Sequence, residues 1–244
     1  MCGRYVSVSS PARLAEVLHV DEVRADDAEP DYNVTPRAEV PVVAETKDHR
    51  RVLDRVRWGL VPSWAKDVSV GDRLINARAD TVATKPAYRR AFERRRCLMP
   101  ADGFYEWRAV PGQKVKQPYF IARADREPMV FAGLYEVWRD RSDPDAEWMR
   151  TCALITTDAN EKLAPIHDRM PVVLPEDAWG EWLDPENRDT ESLHDLLVPA
   201  PSDEFIAYPI SRLVNKPENQ GPELLEPVDE SESSEADDAQ PRLL

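Results

Sequence analysis

Apolar and polar positions alternate over residues 4–8, which read as a strand. Ser10 followed by Pro11 supplies an N-cap and a first-turn proline, and predicts a short helix over 11–19. Short apolar runs at 40–44, 52–58, 119–122, 129–137, 152–157 and 171–174 have the length and composition of strands. Thr84-Lys85-Pro86 opens a predicted helix that runs to Arg94. Two more helices are expected at 176–183 and 191–198, the second capped by Thr190, and residues 21–30 form an acidic loop. Strands outnumber helices and follow one another without regular helical crossovers. That order excludes a doubly wound parallel sheet. It predicts an α+β fold: a largely antiparallel twisted sheet or open barrel with flanking short helices. The 22 prolines break any long element. No repeat and no shift of composition interrupts the chain before about residue 228, so one domain over 1–228 is expected, followed by an acidic, disordered tail over 229–244.

Composition narrows the function classes. No run approaches the ~18 apolar residues of a membrane helix, and no basic-then-apolar leader opens the chain, so a cytoplasmic protein with no membrane partner is expected. Cysteines at 2, 97 and 152 make neither a disulfide framework nor a zinc spacing, so no metal or organic cofactor is expected. The net charge of −14 argues at first against a partner as anionic as nucleic acid. The charge is uneven, however. The last twenty residues carry seven acids against Arg242, a balance of −6, while residues 73–108 hold nine basic side chains against four acidic, a balance of +5. Basic residues are 25 Arg to 7 Lys, and Arg is the better fork for phosphate. An acidic chain so poor in Lys also fits a high-salt cytoplasm.

Met1-Cys2-Gly3-Arg4 carries the most specific chemistry. Removal of Met1 leaves Cys2 with a thiol and a free α-amine on adjacent carbons. The amine titrates near ~7.7–8.0, so part of it is nucleophilic at neutral pH. Such an aminothiol condenses with an aldehyde to a thiazolidine, which no internal cysteine can do. It equally suits an amidohydrolase nucleophile that uses its own amine as base. Cys97 and Cys152 read as small core residues.

Glu106 stands between Tyr105 and Trp107 in Pro100-Ala101-Asp102-Gly103-Phe104-Tyr105-Glu106-Trp107. On a strand it points away from both rings, and a cleft on that side raises its pKa toward neutrality. Of the four histidines, His167 alone is framed by an Asp-Arg pair and two prolines, the rigid polar setting that suits proton transfer. Asn76 and Arg78 share one side of an extended segment, an amide and a guanidinium that read phosphate or sugar oxygens. Tyr32-Asn33-Val34-Thr35-Pro36 and Trp58-Gly59-Leu60-Val61-Pro62-Ser63-Trp64 add aromatic and proline edges on which splayed bases can stack.

These motifs, in this order and together with Ile166-His167-Asp168-Arg169-Met170-Pro171, resemble the SRAP family of SOS-response-associated peptidases or abasic-site processing proteins, over roughly residues 2–228. The resemblance implies a single SRAP-like domain, acting as a monomer on single-stranded DNA that contains abasic sites. It implies capture of the ring-opened sugar aldehyde by Cys2 as a thiazolidine crosslink, with self-removal of Met1. Glu106 would handle protons at the Cys2 amine and the sugar, and His167 would act on the sugar oxygen. Arg4, Asn33, Pro36, Trp64, Asn76 and Arg78 would bind the strand and the abasic pocket. One departure is Ala65, where some members carry an aromatic wedge; stacking then falls to Trp64 or Pro36. The chain would be cytoplasmic and nucleoid-associated when acting on DNA. Two other readings remain open at this level: an N-terminal cysteine amidohydrolase or peptidase acting on a small molecule or peptide, and a non-enzymatic DNA-binding module.

Overall fold

The structure, a computed structural model, describes residues 2–25 and 29–229. Met1, the middle of the acidic loop at 26–28 and the acidic tail from 230 onward lie outside the described residues. The chain begins with β1 (Tyr5–Ser7), α1 (Pro11–Val17), β2 (Glu22–Val23), β3 (Asp31–Val34), β4 (Glu39–Glu45), β5 (Arg51–Trp58) and β6 (Asn76–Arg78). After α2 (Arg89–Arg94) come β7 (Arg96–Ala101), β8 (Gly103–Arg108), β9 (Gln117–Arg123), β10 (Met129–Trp138), β11 (Met149–Asp158) and β12 (Arg169–Pro171). The last elements are α3 (Trp179–Leu183), α4 (Thr190–Asp195) and β13 (Phe205–Pro209).

Two sheets build the molecule. The first runs β13-β9-β8-β1-β3 and is antiparallel throughout. The second runs β12-β11-β10-β7-β4-β5-β2 and closes on itself, because β11 pairs with β5 as well as with β10. The ring β11-β10-β7-β4-β5 is a small barrel. The fold is α+β, as expected, and its sheets are mostly antiparallel. The parallel pairs β2–β5, β11–β5 and β11–β6 are the exceptions, and the second of them closes the barrel. Every residue of β7 is buried, because a strand with both neighbours paired and both faces covered reads as a continuous apolar run.

The core divides accordingly. One cluster fills the space between the first sheet and the barrel and contains Cys2, Tyr5, Trp58, Phe104, Tyr105 and Phe131. Tyr5 meets Trp58 edge-on at 5.3 Å between centroids, the favourable arrangement for ring quadrupoles. The other cluster holds the helices against the barrel's outside through Phe92, Trp179 and Trp182.

Local signals explain most element ends. Ser10 Oγ accepts the Arg13 amide at 3.2 Å to start α1, and His19 at φ 52° carries the chain out of the helix two residues after its end. The helix expected from Thr84 begins only at Arg89. Thr84 and Lys85 instead close a turn back onto the Thr81 carbonyl, and a residue ahead of proline disfavours the helical region. Helix α4 is capped by Asp189, not Thr190: its Oδ1 accepts the Glu191 and Ser192 amides. Of the run at 171–174, only Pro171 belongs to a strand, with Val173 adding an isolated bridge to Phe131.

Candidate active site

Cys2 and Glu106 come from adjacent strands of the first sheet. Cys2 lies just ahead of β1, which pairs with β8, and the Tyr105 amide donates to the Arg4 carbonyl at 3.0 Å. Asn76 and His167 come from the other sheet. Asn76 starts β6 opposite Leu154 of β11, and His167 sits in the loop that joins β11 to β12. The four residues therefore meet where the two sheets face each other.

Alternation along β8 puts Glu106 on the side away from Tyr105 and Trp107, and that side is covered: Glu106 is 3% exposed. Burial, the largest influence, pushes its carboxyl up to about 7. It can give or take a proton at neutral pH. His167 Nε2 lies 3.9 Å from Glu106 Oε2. On the other side of the ring, Nδ1 accepts the Arg169 amide at 3.0 Å, which leaves the neutral ring's proton on Nε2, facing Glu106. The exposed Asp168 carboxylate stands 2.9 Å from the same Nδ1 and takes a proton there only when the ring is charged. Burial holds the His167 pKa below its ordinary value.

Cys2 is fully buried. Burial first, then the Glu106 charge, pushes its thiol pKa up, so the sulfur carries its proton at neutral pH. The Asn76 side chain fixes the backbone here: Nδ2 donates to the Cys2 carbonyl at 2.7 Å. Asn76 Oδ1 is buried and has no partner among the described residues, which leaves an acceptor beside Cys2. Tyr88 supports the strand from behind by donating to the Asn76 carbonyl at 2.9 Å.

The strand-binding candidates separate into two kinds. Arg4 and Asn33 belong to an internal network. Arg4 Nη1 donates to Asn33 Oδ1 at 2.7 Å and to the Val214 carbonyl at 2.9 Å, with the guanidinium over the Trp107 ring. Asn33 is 2% exposed, and its Nδ2 serves the Val214, Lys216 and Asn219 carbonyls at 3.3, 3.0 and 3.0 Å. In this structure the polar atoms of Asn33, expected to bind the strand, hold Arg4 and the 214–219 loop. Arg78 is exposed and forks onto Asp80 through Nε and Nη2 at 3.1 and 2.9 Å. Pro36 is half-buried, and Trp64 is 60% exposed on the turn closed by the Ala65 amide and Pro62 carbonyl. Ala65 faces inward beside Val61 and Trp138 and accepts the Trp138 indole at 2.8 Å, so the open ring of this turn is Trp64.

Sequence reasoning passed over Arg169. It is 8% exposed, pairs with Asp158 at 2.8 Å, donates to the Thr156 carbonyl at 2.6 Å, and presents the amide that orients His167. Its place in the His167 motif was the available signal. Among the described residues, no group of three His, Cys, Asp or Glu side chains is placed to hold a metal ion.

Comparison with known proteins places the chain in a family. A family model described as SOS response associated peptidase (SRAP) matches residues 1–217. The abasic site processing protein YoqW of Bacillus subtilis is 40% identical over 227 residues, 93% of this chain and 99% of its own. YedK of Escherichia coli, also named an abasic site processing protein, is 34% identical over 93% of this chain and 100% of its own. A crystal structure of a protein from Bacteroides thetaiotaomicron superposes with a TM-score of 0.81 at 25% identity, covering 93% of this chain and all of that one. With the matched model spanning most of the chain and such relatives aligned nearly end to end, the chain belongs to the SRAP family.

Proposed function

We propose that the protein processes abasic sites in single-stranded DNA by forming a covalent thiazolidine between Cys2 and the ring-opened sugar. The observation that carries this reading is the meeting of Cys2, Glu106, His167 and Asn76 between the two sheets. The names of the relatives point to the same lesion.

The chemistry runs in balanced steps. Glu106 takes the anomeric hydroxyl proton and hands it to the sugar ring oxygen, which accepts a hydrogen bond from His167 Nε2–H, as the ring opens to its aldehyde. The Cys2 amine, free once Met1 is gone, adds to the aldehyde carbon, and the carbinolamine loses water to give an imine. Glu106, poised near pH 7, takes the amine proton and returns it to the departing hydroxyl. The thiol sulfur then adds to the imine carbon while its proton passes to nitrogen, closing the five-membered ring. One water leaves overall, and nothing is oxidised or reduced. A thiol kept protonated by burial suits the last step, since its proton is needed on the nitrogen. Trp64, exposed on its turn, offers a ring for a base of the strand. Release of Met1 is the one peptide cleavage the chemistry requires, and the same groups are on hand for it.

The test is direct. Full-length protein is incubated with a single strand containing one abasic site and denatured, and the product is weighed. The expected product has the mass of protein lacking Met1 plus DNA minus one water, and it is absent in Cys2→Ala. A covalent product of equal yield in Cys2→Ala overturns the assignment, and release of amide products from a peptide panel without DNA would favour the amidohydrolase reading instead.

A further inference from the structure

We propose that an arginine basin beside α2 is a second phosphate-binding surface, which holds the backbone of a DNA strand as it leaves the Cys2 site. The basin has a volume of about 610 Å³ and is lined by Arg89, Arg90, Arg94 and Arg188 together with Glu93, Ala83 and Thr190.

Three observations carry the assignment. The first is the state of the side chains. On this acidic chain exposed arginines commonly find a carboxylate: Arg13, Arg24, Arg37, Arg50 and Arg150 all do. In the basin only Arg94 is paired, with Glu93 at 3.2 Å. The side chains of Arg89, Arg90 and Arg188 take no hydrogen bond or ion pair among the described residues. Arg90 feels the Glu136 carboxylate charge without a direct ion pair, and the like charges of Arg89, Arg90 and Arg188 around one hollow repel one another, a cost that an anion between them lowers. Arg is also the side chain that forks best onto phosphate oxygens.

The second is that the basin is built. Arg188 is remote in sequence and is brought in by the loop before α4. Arg96, 4% exposed, fixes that loop to α2. Its guanidinium donates to the Trp182, Asp184 and Asn187 carbonyls at 2.6, 2.6 and 2.9 Å, and to the Phe92 and Glu93 carbonyls at 3.0 and 2.9 Å. One buried arginine thus holds both walls of the basin.

The third is its position. Ala83 follows Arg78 by five residues, a span of no more than about 18 Å. Tyr88, immediately before Arg89, is the residue that donates to the Asn76 carbonyl. Tyr88 and α2 lie on the side of β6 away from Cys2, so a strand whose abasic sugar sits by Asn76 would pass the Arg78 end of β6 to reach the basin, a span of a few nucleotides. Of the sources of phosphate, the diester backbone is the one this neighbouring site supplies.

The inference rests on the reading of the Cys2 site as one that holds DNA, and the experiment separates the two. Reversible binding of an undamaged single strand to the full chain is measured against KCl concentration, for the wild type and for the triple variant R89S/R90S/R188S. Loss of three phosphate contacts lowers the slope of log K against log salt by about 2, at about 0.7 per contact on single strands. The triple lysine variant keeps the slope, because the charge is kept. R188A alone, on an exposed loop, lowers it by about 0.7 and covers the case of a triple variant that does not fold. An unchanged slope in R188A or in the folded triple serine variant overturns the proposal, whether or not the wild type takes up inorganic phosphate. Failure of the wild type to crosslink abasic DNA would sink the Cys2 reading and leave this slope still decisive for the basin.

Discussion

At the scale of single residues, Glu106 is a case where function and stability pull apart. Its carboxyl titrates near 7 in the fold and near 4.3 in the unfolded chain. The folded state therefore holds a proton that the unfolded state has already released over that interval. Stability falls as pH rises from about 4.3 to 7, and the full penalty is present above 7. Glu106→Gln removes it. The variant is expected to melt higher than wild type at pH 8, with the difference gone by about pH 4, and to form adduct about 100-fold more slowly or worse. Thermal melts at the two pH values and a time course of adduct formation check both halves. Asn33→Ala has the opposite character. It takes a donor from three carbonyls, of which Val214 keeps Arg4 and Lys216 keeps the Asn219 amide, and it leaves the Asn219 carbonyl and an Arg4 N–H without that partner, for a loss of about 2–4 kcal/mol, measured by urea unfolding. Residue-scale legibility follows the same divide. Cys2, Glu106 and His167 stand out as candidates from residue type and immediate neighbours, and the family resemblance supplies the roles expected of them. Asn33 does not, because the carbonyls that claim it lie some 181 to 186 positions away.

At the scale of elements, the periodic runs at 52–58, 129–137 and 152–157 reappear as β5, β10 and β11. What hydrophobic pattern cannot carry is partner choice. The parallel pairing of Thr151 and Cys152 with Arg57 and Trp58 closes the barrel and joins segments almost a hundred residues apart. The helix start at Arg89 was likewise hidden, since a tertiary bond from Tyr88 and a turn at Thr81 decide it. Just past β5, the chain turns at Gly59, whose amide donates to the Cys152 carbonyl at 2.8 Å. Its φ is +126°, and a Cβ there would meet the Gly71 carbonyl oxygen at 2.8 Å. Gly59→Ala is expected to cost about 2–4 kcal/mol through strain and that close approach. Amide exchange should quicken along Leu60–Leu74, which the turn holds to β11, more than in β7. Equal protection in wild type and variant along that segment would show that the turn does not depend on glycine.

For the whole molecule, the linear count of +5 over 73–108 does not describe one face. Arg96 is buried, Arg95 is spent on Glu136, and Arg78 on Asp80. Arg89 and Arg90 remain open, and Arg188 joins them from outside the segment. A sum over sequence cannot show this, because folding decides which charges are consumed. The net charge of −14 then acts on two equilibria in opposite directions. Self-repulsion of the compact state is screened by salt, so raising KCl from 0.1 to 1 M should increase the melting temperature. Phosphate contacts are weakened by the same salt through counter-ion competition, so reversible strand binding should decline steeply over that range. A thiazolidine bond is indifferent to ionic strength. Adduct formed at low salt should therefore survive transfer to 1 M KCl in wild type, while Cys2→Ala releases its strand completely. Loss of the wild-type adduct on that transfer would show that the strand had been held by charge alone.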